Sequence, residues 1–232
     1  PMELKKTLLI AVGILVVLLA GLLLHTRQAA ETAADKTAVT IVIDPGHGGV
    51  DGGAQADDGT PEKNINLNIA LKLKKLAEND GWNVIMTREE DTGLYSEQNS
   101  TIRSKKTEDL KKRKQIFDSS AADAAVSIHL NSYTADRSVR GAQVFYAAGS
   151  EESKMLAECV QEQMGNRRRA MAKSDVLILQ QVKVPTVIAE CGFLSNYEES
   201  RKLRTDEYQN EMAKNIYSGI KTYIENNKGI KR

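Results

Sequence analysis

The stretch Val39-Thr40-Ile41-Val42-Ile43-Asp44-Pro45-Gly46-His47-Gly48-Gly49 decides how the chain is read. Its first half is a short β-branched apolar run, the mark of a buried strand. Its second half breaks at Pro45 into a glycine-rich loop that continues to Gly59. Thr60-Pro61 then reads as a helix start, with Thr60 as N-cap and proline in the first helical position. Ile65, Ile69, Leu73 and Leu76 give that helix its apolar stripe, and Gly81 ends it. A strand feeding a helix through a loop is the opening unit of an α/β sheet.

Working outward towards the C-terminus, the alternation continues. Trp82–Thr87, Ala125–Leu130, Ala142–Ala147, Val176–Leu179 and Thr186–Ala189 read as strands. Helices are predicted near Ser104–Ser119, Glu151–Met164 and Asp206–Glu225. The last carries Tyr208, Met212, Ile216 and Ile220 at i, i+4 spacing. Arg88 to Arg103 reads as a polar loop. The expected fold class is α/β: a single domain over 38–232 with an open, twisted, mostly parallel sheet and helices on both faces.

Working outward towards the N-terminus, Leu8 to Leu24 is an unbroken run of seventeen apolar residues preceded by Lys5 and Lys6. It reads as a transmembrane anchor or a signal, with a short cytoplasmic N-terminus over 1–7 and a linker over 25–37. Ala29, Ala30, Ala33 and Ala34 would suit cleavage. Either outcome places the remaining chain outside the cytoplasm, since Lys5 and Lys6 stay on the inner side.

The composition is that of an ordinary globular domain, 41% hydrophobic and 27% charged. A net charge of +1 gives no basis for a nucleic-acid partner. Arg167-Arg168-Arg169 reads as a solvated helix face, or as a clamp for an acidic substrate or partner. Cys159 and Cys191 form neither a metal-type pair nor a disulfide framework. They read as small buried residues, with a reactive thiol at Cys191 as the alternative.

Of three histidines, only His47 and His129 fall in the folded part. Each follows or ends a predicted strand, where open α/β sheets build their sites. Glu62 sits in the first turn of its helix, where the dipole favours the ionised carboxylate that a metal ligand needs. Glu190 follows the apolar run Val187-Ile188-Ala189, and a buried acid is costly without a task. Two histidines, a ligating glutamate and a spare glutamate suit catalytic zinc: three protein ligands, one open position and a separate proton carrier. Asn131 and Gly192 lie beside these groups and either shape the cleft or serve turns. A glycine-rich phosphate loop at Gly46–Gly53 lacks the G-x-x-x-x-G-K-[ST] pattern.

Ile43-Asp44-Pro45-Gly46-His47-Gly48-Gly49, Glu62-Lys63 with Asn66-Leu67, Thr87-Arg88, Ser127-Ile128-His129-Leu130-Asn131-Ser132 and Glu190-Cys191-Gly192-Phe193-Leu194-Ser195-Asn196 occur in order. This set resembles the zinc-dependent N-acetylmuramoyl-L-alanine amidases, from about Val39 to Tyr223. The resemblance implies one Zn2+ held by His47, Glu62 and His129, with Glu190 as the catalytic glutamate. It implies a peptidoglycan substrate, cut between muramic acid and L-alanine. The segment Ile102 to Leu110 and the N-terminal run look most like the germination-specific, CwlD-like subgroup, which acts on spore cortex. One departure is Asp118, where the family usually has Asn. Alternatives are a catalytically inactive peptidoglycan-binding scaffold and a zinc peptidase acting on the stem peptide. A regulatory protein partner and the oligomeric state stay open at this stage.

Overall fold

The computed structural model describes residues 19–22, 38–98 and 101–228. The chain forms two compact units, Pro1–Ala38 and Val39–Arg232. In the first, residues 19–22 are helical and expose Leu19 and Leu22. The predicted membrane segment 8–24 otherwise lies outside the described residues, as do 1–7 and the linker 25–37. Among the described residues no helix is long and apolar enough to cross a membrane.

The second unit runs β1 (Thr40–Pro45), α1 (Glu62–Asn79), β2 (Asn83–Met86), α2 (Ile102–Ser119), β3 (Ala124–Asn131), β4 (Gln143–Ala147), α3 (Glu151–Gln163), β5 (Met171–Lys173), β6 (Thr186–Phe193), α4 (Tyr197–Leu203) and α5 (Asp206–Lys228). One six-stranded sheet has the order β2-β1-β3-β6-β4-β5. β2, β1, β3 and β6 are mutually parallel, β4 is antiparallel to β6, and β5 is parallel to β4. The three central strands β1, β3 and β6 are almost wholly buried, which explains why they read as continuous apolar runs.

The two faces are unequal. One carries the larger core, where Ile65, Ile69 and Leu73 of α1, Leu156 and Val160 of α3, and Ile216 and Ile220 of α5 meet Ile41, Ile43, Val126 and Val187. The other carries a smaller core: Phe117 of α2 and the short 3-10 turn Leu177–Leu179 cover Val42, Ala125 and Ile188. This thinner layer leaves room for a cavity at one end.

Local differences from the sequence reading have physical reasons. Thr60 is not a cap: α1 starts at Glu62 after an extended Pro61, with no side-chain cap. The loop itself closes the helix end, because Glu62 N donates to Ala54 O at 2.8 Å and Lys63 N to Gly52 O at 3.2 Å. Val176–Leu179 is a 3-10 turn, not a strand, since a short apolar run fits either when buried. The fifth strand is Met171–Lys173, too short and too exposed to show a pattern. Arg167-Arg168-Arg169 lies in the segment between α3 and β5, not on a helix face. There Arg168 sits over the Phe193 ring at 5.3 Å and donates to Arg140 O. α4 is a helix beyond those expected, and Asn196 caps it by accepting from Glu199 N at 3.0 Å.

Candidate metal centre

β1 ends at Pro45, and Gly46 N donates to Ile128 O, tying the following loop to the end of β3. His47 adopts φ 63°, a left-handed conformation that non-glycine residues occupy at a cost. The surroundings enforce it. Arg113 Nη2 donates to His47 O at 2.5 Å, and Asp51 Oδ2 lies 2.9 Å from His47 Nδ1. The second ring nitrogen, Nε2, then faces Glu62 at 3.2 Å.

Glu62 is the first residue of α1 and is 3% exposed. Its Oε2 accepts from Ala54 N at 2.9 Å; its Oε1 accepts from Leu130 N at 3.0 Å and Asn66 Nδ2 at 3.2 Å. His129 Nδ1 lies 3.2 Å from the same Oε1. Burial alone would raise this carboxyl, but hydrogen bonds and charge from His129 and His47 outweigh it and hold it well below the usual carboxylate range. Burial likewise acts downward on His47, yet its bonds to Asp51 and Glu62 push it up to about 9.

The structure brings His47, Glu62 and His129 together, with ligand atoms all within 4.8 Å of one another. Bonds of about 2.0–2.2 Å place adjacent corners of a tetrahedron roughly 3.3 Å apart. The two 3.2 Å separations from Glu62 Oε1 match that edge. The two rings meet edge to face, their centroids 4.9 Å apart. Gly46 makes the approach possible, since a Cβ there would lie 2.3 Å from His129 Nε2. Two imidazoles, a buried carboxylate and an outer carboxylate on His47 fit zinc.

Glu190 lies inside β6, not after it, because β6 pairs on both sides and runs on to Phe193. It is in register with His129 beside an irregularity between His129 and Asn131. Its Oε2 is buried and has no hydrogen-bond partner. Burial, reinforced by the charge of Glu62, raises its carboxyl above the ordinary value against the opposing effect of His129 and His47. Glu190, His47, His129 and Asn131 all line one cavity of about 410 Å³. Gly192 is not part of that wall and packs near Leu203 and Glu199. Cys191 is fully buried, and burial together with Glu190 pushes its thiol well up, so it is no nucleophile. The glycine loop is no anion cradle either: its amides at Gly49 and Gly53 donate to Asp91 and Asp51.

Beneath the centre lies a polar network that the sequence reading missed. Asp44, fully buried, accepts from Thr87 Oγ1 and Ser127 Oγ at 2.5 Å and pairs with Arg113. Arg113 also pairs with Asp109 and donates to Pro45 O, so one guanidinium fixes the loop carrying His47. Burial would raise Asp44, but Arg113 and the two hydroxyls outweigh it and lower it. A lowered carboxyl stabilises the fold fully above its unfolded value, about 3.9. That contribution is lost as pH falls through the lower folded value. Asp44→Ala leaves Arg113 buried without its innermost counter-charge, and we expect a loss of about 3–5 kcal/mol in urea denaturation.

The sequence model of the N-acetylmuramoyl-L-alanine amidases matches residues 41–222, nearly the whole second unit. The chain belongs to this family. The germination-specific N-acetylmuramoyl-L-alanine amidase of Bacillus subtilis is 36% identical over 189 residues, covering 79% of each chain. Among solved structures, the CwlD amidase of Clostridioides difficile, in complex with the GerS lipoprotein, superposes with a TM-score of 0.79 at 43% identity, over 82% of this chain and 100% of that one. Another N-acetylmuramoyl-L-alanine amidase, from Clostridium difficile 630, gives 0.71 at 31% identity, over 82% and 98%. This amidase therefore shares the α/β architecture of its relatives. Asp118, the departure noted in the sequence, is paired with Lys114 at 2.6 Å on α2 and does not line the cavity that holds Glu190.

Proposed function

We propose that this amidase hydrolyses the bond between N-acetylmuramic acid and the L-alanine of the stem peptide, using one Zn2+ held by His47, Glu62 and His129. The observation that carries the reading is the convergence of those three donors, two of them in the wall of a cavity that also holds Glu190 with its buried, unpartnered Oε2. When bound, zinc supplies a Lewis acid that polarises the lactyl carbonyl and acidifies water. Glu190 takes the proton of the attacking water and delivers it to the leaving amine of L-alanine. Its raised affinity for a proton suits a group that takes up a proton and then returns it. Asp51 fixes the His47 ring so that Nε2 faces Glu62. Arg113 and Arg88 hold the carbonyls of the loop and so its shape.

The germination-specific relative supports a role in spore cortex, and the complex with a lipoprotein supports a protein partner for this chain too. Both agree with an activity outside the cytoplasm, which the apolar segment 8–24 would reach as an anchor or signal. The test is mass analysis of peptidoglycan digested with purified, zinc-loaded protein. Release of free peptides with intact L-alanine amino ends supports the reading. Cuts within the peptide indicate a stem-peptide peptidase, and binding without cuts indicates a scaffold. Asp51→Asn is expected to weaken zinc binding about 10- to 100-fold with the fold retained, measured by competition with a chromogenic chelator.

A further inference from the structure

Away from the metal centre, the cavity continues along the thinner face of the sheet. Register places Ile188 beside Phe145, and Phe145 beside Met171, so Glu190, Ile188, Phe145 and Lys173 fall on one face of β6, β4 and β5. All four line the cavity, with Val176 and Ile178 beside them. Three cations reach this wall: Lys106, Arg113 and Lys173. Lys106 pairs with Asp51 at 2.7 Å, and Arg113 is engaged by Asp44 and Asp109. Lys173 has no carboxylate partner among the described residues. Its ammonium sits over the Phe145 ring, 5.1 Å from the centroid. The side chain is half-buried and turned inward over that ring, not out into solvent.

We propose that Lys173 is a specificity residue that recognises a carboxylate of an acidic stem peptide bound along this cavity, a statement that rests on the amide-cleavage reading above. Lys173 lies two strands from Glu190 and about four residues further along, which strand spacing converts to roughly 16 Å between Cα atoms. The ammonium leans back over Phe145, which lies one strand and two residues from Glu190; that spacing is roughly 8 Å, which brings the ammonium within roughly 10 Å of the reacting end of the cavity. An extended peptide covers that distance in two to three residues at about 3.3–3.6 Å each. A carboxylate at the second or third position of the stem peptide meets Lys173 over an apolar floor of Phe145, Ile178 and Ile188. There the ion pair is shielded and contributes more than on an open surface.

The experiment compares a muramoyl tripeptide bearing free carboxylates with its fully amidated counterpart. Wild-type, Lys173→Met and Lys173→Arg are each measured for KM, kcat and, by calorimetry, affinity for the corresponding free tripeptides. Wild-type protein is expected to favour the acidic forms by about 10- to 100-fold, mostly in KM and in peptide affinity. Lys173→Met removes that preference without lowering kcat on the amidated substrate, and Lys173→Arg retains most of it. No preference in the wild type, or a preference that survives Lys173→Met, overturns the assignment. If neither substrate is cut while peptide affinity still follows residue 173, the cleavage reading fails and anion recognition stands.

Discussion

Glu190→Gln is expected to lower kcat by about 10²- to 10⁴-fold, the range of a lost general acid-base, while leaving folding and zinc content unchanged. The structure explains why the two effects separate. Glu190 Oε2 makes no hydrogen bond, so the substitution breaks no network. The carboxyl's proton affinity is raised on folding, so its ionised form is a burden to the native state. A neutral amide of the same shape removes that burden, and the variant should unfold at the same temperature or slightly higher. Kinetics on a soluble muramoyl peptide, metal analysis and thermal melting read the three quantities independently. Near-normal turnover would remove Glu190 from the mechanism, whereas a collapse of the melting temperature would make its role structural.

How much of this was legible beforehand follows from where each signal lies. His47, Glu62, His129 and Glu190 stand out because each is a polar residue at the end of an apolar run or at a helix start, and the structure does gather them. The central strands were readable because burial on both faces leaves continuous apolar sequence. β5 was not, since a three-residue edge strand pairs on one side only and needs no pattern. Asp44 and Arg113 were passed over for a different reason. Their importance comes from contacts across long sequence separations, Arg113 reaching Asp44 and His47 from the middle of a lysine-rich helix. A buried arginine in such a helix looks like one more surface cation until the third dimension places it. The Asn196 cap, three residues ahead of Glu199, is the local signal that marks the start of α4.

Removing zinc with a chelator should abolish cleavage and leave the domain folded, and this separates a catalytic ion from a structural one. Without a cation the donors are already held: Ala54 N, Leu130 N and Asn66 fix both oxygens of Glu62, and Asp51 fixes His47. The core does not depend on them, because its two clusters are built from the sheet and its covering helices. Zinc at 100 times its dissociation constant then stabilises by about 2.7 kcal/mol through binding alone. For a domain of this size that is an upward shift of roughly 5–10 °C in melting temperature. Activity should return on adding zinc, and His129→Ala should show neither the shift nor the recovery. Because His47 carries a proton up to about pH 9 in the free site, zinc must displace it, so affinity should weaken as pH falls. Global unfolding on chelation would make the ion part of the scaffold, and full activity without it would exclude it from catalysis.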